Sequence, residues 1–143
     1  MKAKLVSDIV HEAVTLSTDR FTTISHVIEE MQARGIGSII IVHPDNTLAG
    51  IFTLRDLLRL TASGESFRFR PVTSSMTPAQ KMVTVAPQDT IIHAGQLMRQ
   101  HKIHHIPVLN HDTIVGIITM SDIEKHLLTG IESDDHLDHQ RSY

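Results

Sequence analysis

Apolar residues recur at Ile91, Ala94, Leu97 and Met98, spaced i, i+3, i+6 and i+7, which is the stripe of an amphipathic helix. Asp89 or Thr90 stands where its N-cap belongs, and the helix is predicted to end near His101-Lys102. Ahead of it, the β-branched run Val83-Thr84-Val85 stops at Ala86-Pro87-Gln88-Asp89, a strand and then a turn. Behind it, Ile106-Pro107-Val108-Leu109 and Ile114 to Thr119 read as strands around a hairpin turn at Asn110-His111-Asp112. Ser121-Asp122 then opens a helix over Ile123 to Leu128.

The same order occurs once before. Val14 to Leu16 is a strand, Thr23 to Arg34 a helix, Ile39 to Val42 a strand, Pro44-Asp45-Asn46 a turn, Leu48 to Thr53 a strand and Leu54 to Leu60 a helix. Gly50-Ile51-Phe52-Thr53-Leu54-Arg55-Asp56 answers Gly116-Ile117-Ile118-Thr119-Met120-Ser121-Asp122 at a spacing of 116 − 50 = 66. Ile24 and Ile91, Met31 and Met98, and Ile36 and Ile103 stand 67 apart, while Val14 and Val83 stand 69 apart. The chain is therefore predicted to be α/β, built from two β-α-β-β-α repeats. Each repeat has a lead-in, Val6-Ser7-Asp8-Ile9-Val10 and Val72-Thr73-Ser74-Ser75-Met76. Repeats this short rarely bury their own apolar face, so function is expected where the two copies meet. The small polar run Thr61 to Ser66 reads as the connection, which sets the first repeat at residues 1–62, a linker at 63–71 and the second repeat at 72–130. Residues 131–143 lack an apolar period and read as a polar, solvated tail.

Composition narrows the function. With 143 residues and 41% hydrophobic content, a modest core is affordable. Thirteen Lys plus Arg against sixteen Asp plus Glu leave no cationic surplus for a nucleic-acid backbone, so no DNA partner is expected. No apolar run approaches the roughly 18–20 residues of a membrane span, and Met1-Lys2-Ala3-Lys4 is not followed by a signal-peptide block. A cytoplasmic protein without membrane contact is expected. The absence of Cys removes disulfides, thiolate metal sites and cysteine nucleophiles. No nucleophile elbow, phosphate-binding Gly-x-x-x-x-Gly-Lys or His-Glu-x-x-His is present, so no enzyme and no catalytic cofactor are expected. His101, His104 and His105 have the spacing of ligands on one helical face, but Pro107 ends the helix before that face forms. His136 and His139 fall in the acidic tail, and no structural metal is expected. Phe67-Arg68-Phe69-Arg70 alternates beside the linker, a pattern of local packing or of a partner contact.

Two segments carry candidate chemistry. Thr53 with Asp56, and Thr119 with Asp122, each place a hydroxyl at a strand end and a carboxylate in the first turn of the next helix. Free N–H groups and the helix dipole there favour an anion such as phosphate, and a carboxylate can accept two hydrogen bonds from a vicinal diol such as ribose. Thr and Asp are also preferred N-caps, so a purely structural role stands beside the binding role.

Taken with the lead-ins, Val83-Thr84-Val85-Ala86-Pro87 and Ile103-His104-His105-Ile106-Pro107-Val108, these segments resemble a tandem pair of CBS domains, the domain named for cystathionine β-synthase, whose pairs are called Bateman modules. The resemblance spans about Val6 to Leu128. It implies a pseudo-twofold pair that binds AMP, ADP, ATP or S-adenosylmethionine in two clefts, forms disc-like homodimers and passes ligand occupancy to an unidentified target protein. In one cleft it implies Asp122 on the ribose, Thr119, Ser121 and His105 toward phosphate, and Val14, Ile36 and Gly37 along the adenine. In the other it implies Asp56 on the ribose, Thr53, Arg55 and Ser38 toward phosphate, and Val83, Ile103 and His104 crossing from the second copy. Two departures weaken phosphate binding beside Asp56: Ser38 stands where relatives often carry a basic residue, and Ile40 replaces the Pro found at Pro107. If the histidines face phosphate, affinity is expected to rise as pH falls through the free-imidazole value of roughly 6.5. A module that only holds proteins together, with no nucleotide, is the alternative.

Overall fold

The computed structural model describes residues 4–18 and 22–128. The predicted tail, with His136 and His139, lies outside the described residues. The elements are β1 (Thr15–Ser17), α1 (Ile24–Arg34), β2 (Ser38–Val42), β3 (Leu48–Thr53), α2 (Leu54–Ser63), β4 (Thr77–Pro78), α3 (Ile91–His101), β5 (His105–Asn110), β6 (Thr113–Thr119) and α4 (Met120–Leu128). Short 3₁₀ turns occupy Val6–Asp8, Val72–Ser74 and Ala79–Lys81.

The elements form two compact units that do not follow the repeats along the chain. Of the described residues, one unit comprises 13–18, 22–82 and 112–114; the other comprises 4–12, 83–111 and 115–128. Each lead-in thus belongs to the unit holding the body of the other repeat.

In the unit of residues 13–82, the sheet order is β1-β2-β3-β4. β1 runs parallel to β2, and β2-β3 and β3-β4 are antiparallel. The lead-in supplies β4, with Thr77 opposite Ile51 and Pro78 opposite Gly50. Helix α1 starts at the N-cap Thr23, whose hydroxyl accepts the His26 N–H at 3.1 Å. Its Ile24 and Ser25 N–H groups, which no helical carbonyl can reach, donate to the Arg70 and Arg68 carbonyls at 3.0 and 2.9 Å. Gly35, at φ 63°, ends the helix in the left-handed conformation. The core gathers Ile24, Val27 and Met31 from α1, Ile39, Ile41, Ala49 and Phe52 from the sheet, Leu60 from α2 and Val72 from the lead-in. Phe67 packs against it, while Phe69 is exposed.

Helix α2 runs three residues past its predicted end and takes Thr61, Ala62 and Ser63 out of the predicted connection. Nothing in those residues breaks a helix; the stop comes from Gly64, at φ 76°.

The other unit repeats the plan with different pieces. β5 and β6 pair, Val85 forms a parallel bridge to Val108, and His11 forms an antiparallel bridge to Ile117. His11 and Ile117 are the counterparts of Thr77 and Ile51, each pair of equivalents standing 66 positions apart. The Val83-Thr84-Val85 strand shrinks to a single bridge for a local reason. Ile40 N–H donates to the Val14 carbonyl at 3.0 Å in the first unit, but its counterpart Pro107 has no N–H to donate. On the other side, Ala86 N–H turns aside to the Asp89 carboxylate at 2.8 Å. Thr90 caps α3 through the His93 N–H at 3.1 Å. The lead-in docks on that helix start, with Val6 N–H on the Asp89 carbonyl at 2.8 Å and Ile91 N–H on the Lys4 carbonyl at 3.0 Å. Val6, fully buried, joins Ile91, Ala94, Met98, Ile106, Val108, Ile118 and Ile123 in this core. Burying one such valine contributes about 1.5–2 kcal/mol, and Ile9 and Val10 of the same lead-in join the packing.

Both lead-in bridges need a glycine opposite. A Cβ on Gly50 would lie 2.6 Å from the Thr77 carbonyl oxygen, and one on Gly116 would run into the His11 carbonyl oxygen and lie 2.7 Å from Val10 Cγ2. The glycine that opens each Gly-x-x-Thr-x-x-Asp segment is therefore a seat for the lead-in backbone.

Candidate ligand-binding site

Each Thr-x-x-Asp segment sits where a strand passes directly into a helix. After β3, Leu54 N–H donates to the Gly37 carbonyl at 3.1 Å; after β6, Met120 N–H donates to the His104 carbonyl at 2.9 Å. Gly37-Ser38 and His104-His105 are thereby held against the two helix starts.

In the β6–α4 segment the cap is reciprocal. Thr119 N–H donates to Asp122 Oδ2 at 2.9 Å, and Asp122 N–H donates to Thr119 Oγ1 at 3.1 Å. Asp122 Oδ2 accepts a second bond, from His11 Nε2 at 2.9 Å. No described residue bonds Oδ1. The carboxylate is half-buried, with 22% of the side chain exposed.

In the β3–α2 segment, Thr53 N–H donates to Asp56 Oδ2 at 2.9 Å, and the Thr53 hydroxyl lies 3.3 Å from the same oxygen. Here Oδ1 is taken as well, by Arg59 Nη2 at 2.8 Å, and the same nitrogen reaches the Ser75 carbonyl at 3.2 Å. Asp56 is buried. Both carboxylates are thus the N3 partners of capping boxes whose N-caps are Thr53 and Thr119, and neither stands free in solvent. They differ in spare capacity: Asp122 retains an oxygen able to accept, whereas both oxygens of Asp56 are engaged.

The sequence profile of the CBS domain matches residues 6–63 and 72–129. The chain belongs to the CBS-domain family. A mitochondrial CBS domain-containing protein of Arabidopsis thaliana, CBSX3, is 33% identical over 104 residues, which is 71% of this chain and 50% of that protein. The chain therefore spans about half the length of that relative. Among solved structures, the CBS-domain containing protein ATU1752 from Agrobacterium tumefaciens is 25% identical with a TM-score of 0.79, covering 87% of this chain and 99% of that one. The CBS domain pair of protein MJ0100, solved in complex with 5-methylthioadenosine and S-adenosyl-L-methionine, gives a TM-score of 0.78 at 23% identity, covering 92% and 100%.

Within this CBS-domain chain, Thr119, Asp122, His105 and His104 share a unit with Val83 and Ile103, and Thr53, Arg55, Asp56 and Ser38 share the other with Val14, Ile36 and Gly37. Val14 and Ile36 are half-buried and pack against the core of their unit, as Val83 and Ile103 do in theirs. Ser121 and Arg55 are exposed in the first turns of α4 and α2. Ser38 is buried at the head of β2, opposite Thr53.

His105 behaves differently from the free imidazole assumed above. Burial is the main cause of a pKa lowered from 6.5 to about 4, and the neighbouring His104 and His11 add to it against the opposing pull of Asp122. His105 is therefore neutral across the physiological range and presents hydrogen-bonding nitrogens rather than a charge. A rise in affinity on acidification through 6.5 does not follow from this residue.

His11 is the site residue that the sequence pattern missed. It lies in the lead-in, 122 − 11 = 111 positions before its carboxylate partner, and no helix or strand period links the two. Its one signal is the register of the repeat, which sets the lead-in beside the strand that ends at Thr119. His101, His104 and His105 share no helical face, because α3 stops at His101 and Lys102 turns left-handed at φ 56°. Among the described residues, no cluster of His, Asp and Glu is arranged to hold a metal ion, and no helix is long and apolar enough to cross a membrane.

Proposed function

We propose that this protein is a non-catalytic regulatory sensor of an adenosine-containing ligand, of the class of AMP, ADP, ATP or S-adenosylmethionine. The observation that carries the proposal is the unengaged Asp122 Oδ1 in the first turn of α4, on a carboxylate whose other oxygen is fixed by the Thr119 backbone. Asp122 takes the ribose diol, while Thr119, Ser121 and the neutral His105 turn toward the phosphate. The MJ0100 pair, solved with two adenosine compounds, supports that ligand class. The Asp56 site, with Thr53, Arg55 and Ser38, is the weaker of the two because Arg59 already occupies the second carboxylate oxygen. Occupancy is relayed to a target protein by a homodimer in the cytoplasm.

Thermal unfolding tests this directly. A ligand that binds only the folded protein stabilises it by about 2.7 kcal/mol at a hundredfold excess over Kd, a shift of several degrees for a chain of this size. At least one of AMP, ADP, ATP and S-adenosylmethionine is expected to raise the midpoint. Asp122→Ala is expected to remove the shift while costing about 1 kcal/mol of stability as a lost cap. A midpoint that none of the four moves would leave a protein-interaction module with no nucleotide.

A further inference from the structure

Resting on the ribose assignment to Asp122, we propose that His11 is a latch on that carboxylate, which a ligand diol must displace in order to bind with both hydroxyls. A vicinal diol held in bidentate fashion places one hydrogen bond on each carboxylate oxygen. An oxygen offers two in-plane acceptor directions. On Oδ2 both are taken, by Thr119 N–H at 2.9 Å and by His11 Nε2 at 2.9 Å. Thr119 N–H cannot leave, because it is backbone and is tied into the reciprocal cap. His11 can leave. Its ring is half-exposed, and its backbone stays fixed to Ile117 by bonds of 3.2 and 2.9 Å while the side chain rotates.

The device is confined to one unit. Thr77 occupies the equivalent lead-in position in the other unit, and Asp56 is held instead by Arg59, one turn along its own helix. His11 thus makes the two carboxylates unequal in what a ligand must displace. The groups around it are Asp122 on α4, His105 at the head of β5 with His104 beside it, and its own neighbour Glu12. His126, one turn along α4, is engaged with the Asp122 carbonyl at 2.9 Å. The His11 bond has a carboxylate as its acceptor and is therefore charge-assisted, so the latch opposes a diol more strongly than a neutral pair would.

The test is calorimetric titration of the full chain with AMP and with 2′-deoxy-AMP in one neutral buffer. His11→Ala is expected to bind AMP about threefold to fivefold more tightly than the native protein. 2′-Deoxy-AMP, which can satisfy Oδ1 alone, is expected to bind both proteins equally. His11→Gln, which keeps a side-chain donor for Asp122 Oδ2, is expected to restore native AMP affinity. AMP affinity that is equal or weaker in His11→Ala, with binding still lost in Asp122→Ala, would overturn the latch and leave the ribose assignment standing. Absence of AMP binding by both the native protein and His11→Ala would remove the ribose assignment and the latch together.

Discussion

Replacing Gly116 by alanine adds a single methyl group on β6, and the structure sets its consequence. The new Cβ would overlap the His11 carbonyl oxygen and approach Val10 Cγ2 to 2.7 Å. The carbonyl is backbone and cannot rotate aside, so the lead-in has to move. Moving it loosens the two His11–Ile117 hydrogen bonds, at about 1 kcal/mol each, on top of about 1–3 kcal/mol for overpacking. A total near 3–5 kcal/mol corresponds to a melting point lower by roughly 10–17 °C. Gly95 is the internal control. It lies in α3, where an added Cβ would meet Ile123 Cγ2 at an ordinary 3.7 Å, and Gly95→Ala is expected to raise stability by about 0.5–1 kcal/mol. Scanning calorimetry on both variants decides the matter. A Gly116→Ala protein that melts within about 2 °C of the native one would refute the argument that the lead-in seats on this glycine.

The remaining predictions concern His105 and Lys102. Because the His105 pKa is lowered to about 4 in the folded state, from 6.5, the unfolded chain binds the extra proton first, so stability is complete above about pH 6.5 and is lost as pH falls toward 4. The loss amounts to about 2 kcal/mol after allowance for partial exposure, and His105→Gln is expected to flatten the slope of denaturation midpoint against pH over that interval. Lys102 closes α3 at φ 56°, where Gly35 closes α1 at φ 63°. Lys102→Gly is therefore expected to stabilise by about 0.5–1 kcal/mol in urea denaturation, whereas Gly35→Ala is expected to cost about 1 kcal/mol.

Element type followed from local pattern wherever apolar spacing and caps agreed. The stripe Ile91, Ala94, Leu97, Met98 with Thr90 ahead of it placed α3, and the turn residues Pro44 to Asn46 bracketed β2 and β3. The misses came from groups that act at a distance. The strand at Val83 to Val85 failed because its partner position, more than twenty residues away, is Pro107 and lacks a donor. Helix α2 outran its predicted end because small polar residues resemble a linker yet cost a helix little until Gly64. Both Asp56 and Asp122 were legible as cap or ligand residues because the two uses share one geometry. What separates them, Arg59 on one and His11 on the other, depends on side-chain contacts that spacing does not encode.

The exchange of lead-ins sets an order on biosynthesis. Val6 waits for Asp89, and His11 waits for Ile117, a pairing that closes a loop of 117 − 11 = 106 residues. Thr22 and Val72 close one of only 72 − 22 = 50. At about 5–20 residues per second, residues 6–11 leave the ribosome several seconds before their partners exist, while the half built around α1 can already assemble. That lead-in is therefore placed after residues made later than itself, and a cut at the connecting segment would separate each half from the lead-in that completes it.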